Sequence, residues 1–165
     1  MQKFYFIQFP EQFFFVKQNI DDAIPLLPIF NDLDDFSRIV ASLQRWNRPC
    51  AVFYERTAYP FKDFLQKSSL FDSIFTFDAT VAKTLRETGF SGKLFLFSNF
   101  RMLLHEGFYK EFNIRPVVSG KANFELANEK EINPLFMVSD KMCLADFGLC
   151  VSRKSTPQCS FNCDN

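Results

Sequence analysis

The stretch PCAVFYERTAYPFKDFLQKSSLFDSIFTFDATVAKTLRETGFSGKLFLFS, residues 49–98, decides the fold. It contains three short apolar runs rich in Phe and β-branched residues, at 50–54, 73–77 and 93–97. Between them lie two segments whose apolar residues recur at helical spacing rather than in alternation. Strand, helix, strand, helix, strand is the pattern of βαβ units on a parallel sheet. The chain is therefore expected to be α/β: a mostly parallel sheet with flanking helices, forming a Rossmann-like single domain. The helix after the middle run is the better marked of the two. Asp78 is placed to cap it, Val81, Ala82 and Leu85 form its buried stripe, and Gly89 suits a left-handed stop. The earlier segment, from Tyr59 to Ser68, opens with Pro60 in its first turn and packs Phe61, Phe64 and Leu65 inward.

Working outward, residues 3–9 and 13–17 read as strands, the first stopped by Pro10. Pro25 and Pro28 exclude a regular helix over 21–30. Leu33, Phe36, Ile39, Val40 and Leu43 then form one apolar helical stripe. Asn31 or Asp32 caps its start, Asp34 and Asp35 favour its first turn, and Pro49 closes it after Arg45 and Arg48. Downstream, 102–112 is expected to be one helix with Leu103, Leu104, Phe108 and Phe112 inward and Gly107 a mild defect. Residues 116–119 and 135–139 read as further strands, and 120–134 as a long loop. No internal repeat is visible. The domain is expected to span 1–151, with the polar run SRKSTPQCSFNCDN at 152–165 a flexible tail.

Composition excludes several classes of function. At 165 residues the chain suits one domain, burying roughly 70% of the surface of its unfolded form. The 19 basic and 19 acidic residues balance, so no basic field draws a nucleic-acid backbone or an anionic lipid surface. No run of 18 apolar residues exists, and the opening MQKFYFIQFPEQFFFVK is interrupted by Gln, Pro and Glu; neither a membrane span nor a signal peptide is expected. The five cysteines are odd in number and not densely spaced, which points to a reduced, cytoplasmic setting rather than a secreted disulfide scaffold. The 24 Phe fit a buried sheet, since each ring removes a large area from water and favours a strand.

All strands of a parallel sheet end on one edge, and ligands of open α/β sheets bind outside those carboxyl ends. On this chain that edge collects Glu55 and Arg56 after the first run, Asp78 after the second, and Ser98 and Asn99 after the third. An acid, a base and a hydrogen-bonding amide around one cleft can hold a polar ligand such as a sugar or nucleotide. Each residue also has a plainer reading. Asp78 is well placed as a helix cap, and Glu55–Arg56 can be a structural ion pair or a functional one.

Other chemistries are poorly served. No glycine-rich phosphate loop occurs among only five glycines, and Ser119-Gly120-Lys121 is too short to replace one. His105, the single histidine, has no nucleophile motif beside it and reads as a surface or half-buried residue. Cys143, Cys150, Cys159 and Cys163 lack a tight C-x-x-C knuckle, so zinc is not expected. CLADFGLCV, with Asp146 in the metal-ligand place, resembles the D-F-G segment of protein kinases; the remaining kinase motifs are missing, and catalysis of that kind is rejected.

The run LFDSIFTFDATVAKTLRETGFSGKLFLFSN, with Phe71-Asp72, the segment from Ile74 to Asp78, Leu85 and Gly89 in step, resembles the N-terminal half of two-domain glycosyltransferases of the spore-maturation type. The preceding AVFYERTAYPF resembles the same group's strand and acidic, aromatic loop, so the likeness covers about fifty residues. It implies an acceptor-side domain binding a sugar or nucleotide-sugar. Glu55 or Asp78 would be the general base, and Arg56, Tyr59, Ser98 and Asn99 would contact ligand. It implies no bound metal or resident cofactor, only a possible nucleotide-sugar donor. Such enzymes keep the donor site in a second domain, which leaves this chain as one half of a split enzyme, a truncated product or a domain kept for binding. Its partner is then a separate domain or, covering apolar surface, a second copy of the chain. The competing reading is a non-enzymatic interaction domain that anchors a partner on exposed Phe or Tyr.

Overall fold

A computed structural model describes residues 3–6, 23–28, 49–55 and 60–137. They form an α/β arrangement in which seven strands make one sheet, every adjacent pair parallel. The strands are β1 (Lys3–Phe6), β2 (Ala23–Pro28), β3 (Ala51–Tyr54), β4 (Ser73–Thr76), β5 (Lys93–Phe97), β6 (Ile114–Val118) and β7 (Leu135–Phe136). The helices are α1 (Phe61–Lys67), α2 (Ala79–Glu87), α3 (Phe100–Leu103), α4 (Glu106–Glu111) and α5 (Lys121–Glu129), with a 3-10 turn at Ser68–Leu70. The parallel sheet with crossover helices expected from residues 49–98 is thus present. The expected strand at 13–17, the stripe from Leu33 to Leu43 and the tail at 152–165 lie outside the described residues.

The strand order follows the chain without reversal, β1 through β7. Lys3 lies opposite Ala23, Ala51 opposite Ser73, Ser73 opposite Lys93 and Leu94 opposite Ile114, steps of about twenty residues. From β3 to β7 the described chain therefore repeats a β-α unit in space although no repeat is legible in its residues. Right-handed crossovers taken always in one direction bring their helices to the same face of the sheet. The packing agrees. Phe64 of α1, Val81, Ala82 and Leu85 of α2, Leu103 of α3, Tyr109 of α4 and Ala127 of α5 share one core with Val52, Tyr54, Ile74, Leu94, Leu96, Ile114 and Val118 from the strands.

Among the described residues, those buried on the opposite face all come from strands: Leu26, Ala51, Phe75, Phe95 and Val117, flanked by Phe4, Ile24, Phe53, Phe97, Leu135 and Met137. This face curls inward. The Phe4 ring centroid lies 4.9 Å from that of Phe75 and 5.3 Å from that of Phe95. In a flat sheet with strands about 4.8 Å apart, β1 would stand roughly 14 Å from β4 and 19 Å from β5. Only a strongly curved sheet closes that gap. Phe75 and Phe95 stack at 4.4 Å inside the curve, and such a pair adds about 0.5–1.5 kcal/mol beyond the burial of each ring.

One local reading is sharpened and two are corrected. Residues 23–28, where prolines argued only against a helix, form β2. Pro25 pairs with β1 below the point where β3 joins at Leu26, and Pro116 of β6 pairs with β5 before β7 joins at Val117. Each proline therefore sits where one neighbour alone is paired, which is where a missing donor is tolerated. The single helix expected over 102–112 is two, α3 and α4, broken at Leu104 and His105. Leu104 is consequently exposed, while Tyr109 takes the buried place. The loop expected over 120–134 contains α5, whose amphipathic signal is slight because Ala127 is its one fully buried residue. Among the described residues no helix is long and apolar enough to cross a membrane.

Candidate functional site

The carboxyl ends of β3, β4 and β5 are aligned by register, with Tyr54 opposite Thr76 and Thr76 opposite Leu96. Glu55, Asp78 and Asn99 follow within one to three residues of that row, so the three polar groups expected at one edge do lie on one edge. Arg56 and Tyr59 lie outside the described residues.

The three differ in what they already hold. Glu55 is exposed directly beyond β3. Asp78 is the N-cap of α2: its Oδ1 accepts the amides of Thr80 at 2.8 Å and Val81 at 3.3 Å, and its own amide donates to Thr76 Oγ1 at 3.1 Å. The plainer reading of Asp78 is therefore realised, and the cap contributes about 1 kcal/mol. Asn99 caps α3 through Oδ1, which accepts the Met102 amide at 3.1 Å. Both caps stand at the edge because each helix starts directly where its strand ends.

Ser98 is fully buried. Its Oγ donates to the Leu96 carbonyl at 2.7 Å and accepts the Tyr109 hydroxyl at 2.8 Å, so both of its capacities are used inside the protein. Burial raises the Tyr109 hydroxyl above its usual pKa, against a smaller lowering by Ser98. The pair anchors α4 beneath the edge. Nothing in the sequence announced it, because the partners are separated by a helix break that the apolar pattern hid.

Sequence reasoning also missed an aromatic rim. Phe77 follows β4 and is 43% exposed; its ring lies 4.5 Å from Phe97 and 5.1 Å from Phe53. Phe100 opens α3 and is more than half exposed. Phe136 ends β7, half exposed, against Phe124 of α5 at 5.4 Å. Exposed rings thus stand beside Asp78 and Asn99 at the strand ends. The apolar runs contained these residues but could not show which of them left the core.

Cys50 and Asp72 sit at the opposite, amino ends of β3 and β4. Cys50 is buried just before β3, its Sγ 3.6 Å from the Ala51 carbonyl. Burial first, and the nearby Asp72 charge second, push its thiol up to about 12, so it holds no thiolate near neutrality. Asp72 meanwhile accepts the Cys50 amide at 2.9 Å. On the inner face Arg115 lies over the Phe95 ring at 5.5 Å and donates from Nε to the Asn133 carbonyl at 2.9 Å. Its guanidinium pKa is lowered by burial. His105 is exposed at the head of α4 and makes no side-chain cap bond there. Among the described residues no group of His, Cys, Asp and Glu is placed to hold a metal ion. Compared with protein-family models, with curated proteins and with solved structures, the chain matches none.

Proposed function

We propose that this chain is a glycosyltransferase-like domain that binds a sugar or nucleotide-sugar over the carboxyl ends of β3, β4 and β5. One observation carries the reading: the register of three consecutive strands delivers Glu55, Asp78 and Asn99 to one edge beside half-exposed Phe77. A saccharide needs that mixture, with carboxylate and amide oxygens for its hydroxyls and a ring face for its C–H surface. The strand order has no reversal among the described strands, so there is no topological switch point there to open the crevice of a doubly wound sheet. A ligand would therefore rest on top of the strand ends, as in barrels built from sequential β-α units. The bonds that commit Asp78 to α2 favour a binding role for it over that of a general base, and leave Glu55 the better candidate for proton transfer.

The test is a thermal-shift and calorimetric panel of free hexoses and nucleotide sugars on the full chain. A ligand at a hundred times its Kd stabilises by about 2.7 kcal/mol, which raises Tm by roughly 5–11 °C for a chain of this size. Glu55→Gln and Asp78→Asn should abolish the shift, and Asn at 78 retains the cap, so loss of folding does not confuse the result. A flat panel, or a shift that survives both changes, overturns the proposal.

A second reading has its own observation. The exposed large apolar side chains among the described residues are Phe77, Phe100, Leu104 and Phe136, and the three rings lie at strand ends. Aromatic anchors of this kind suit a protein partner. Under that reading the saccharide panel is flat, and Phe100→Ser changes the sedimentation or light-scattering mass of the chain or of its complex.

A further inference from the structure

We draw no further inference here: the strongest candidate, the amino end of α5 at the carboxyl edge of β6, where Gly120 offers no capping side chain and Lys121 follows, is a helix terminus with no second observation pointing to a ligand, and the half-exposed aromatic row Phe53, Phe77 and Phe97 of the inner face has nothing in the structure to show what covers it.

Discussion

Among the charged side chains of the described residues, Arg86 is the one whose removal should cost this fold most. It sits near the end of α2 and reaches two separate turns. Its Nη1 donates to the carbonyls of Phe90 and Gly92 in the turn that leads into β5. Its Nε donates to the Phe112 carbonyl and its Nη2 to the Asn113 carbonyl, each at 2.9 Å, in the turn that leads into β6. One planar guanidinium therefore ties two successive β-α units together at the amino ends of their strands. Partial burial lowers its pKa without discharging it.

A hydrogen bond to a charged group contributes about 1.5–3 kcal/mol, but four bonds from one side chain are not additive, and the bond to Asn113 is exposed. Arg86→Ala should therefore cost about 2–4 kcal/mol. At two to four degrees per kcal/mol for a chain of this length, Tm should fall by roughly 4–16 °C. Arg86→Lys keeps the charge but cannot span both turns with one ammonium, so it should recover less than half of the loss. Lys83→Ala on the same helix is the control. Its pairing with Glu87 is exposed at 3.6 Å, and its loss should stay within about 0.5 kcal/mol. Circular dichroism melts and urea titrations at constant m-value measure all three. A loss below 2 °C for Arg86→Ala, or full rescue by Lys, refutes the clamp.

Further outcomes follow from single sites. A Cβ at Gly92 would collide with the Phe90 ring and meet the Asp72 carbonyl at 2.7 Å, so Gly92→Ala should destabilise by about 1–3 kcal/mol in urea titration; no loss would mean the turn yields freely. Ser73 Oγ is buried without a hydrogen-bond partner, so Ser73→Ala should be neutral or stabilising by up to about 1 kcal/mol, and a clear loss would contradict that environment. Lys130 donates to Glu106 Oε2 at 2.9 Å; that bond first, and its charge second, hold the Glu106 carboxyl below its usual pKa. A lowered folded-state pKa gives stability that is present above the usual carboxylate value near 4.3 and lost as pH falls through the folded value. Lys130→Ala should accordingly raise the Glu106 pKa in an NMR titration and flatten stability over that acid window; an unmoved titration would remove the pair as its cause.

The readable parts of the chain were those governed by neighbours in sequence. Asp78, with apolar residues three, four and seven positions on, reads as a capped amphipathic helix, and it is one, with Gly89 at a φ of 92° where it stops. The run 93–97 reads as a strand and is β5 to the residue. Readings failed where the deciding contact was remote. Leu104, read as inward, is exposed, and Tyr109 is the residue that reaches Ser98. At 23–28 the prolines ruled out a helix, but that Pro25 fits a strand depends on where β3 begins to pair. The candidate edge was legible as a set of residues. The commitments of those residues were not, because Ser98 and Tyr109 meet only after α3 and α4 have turned.

By itself the sequence determined that residues 49–98 alternate strands with helices, that the strands are parallel, and that Glu55, Asp78 and Asn99 follow their ends. Those properties come from periodicity, capping and turn chemistry, which act over a few residues. Tertiary structure alone decided the order of the strands and their curvature. It also decided that the described helices gather on one face, and that Phe4 reaches Phe75 and Phe95 across the other. A Phe in a strand buries equally well on either face of a covered sheet, so composition leaves the choice open. Pairing between strands about twenty residues apart, and the closing of the sheet around its rings, make it.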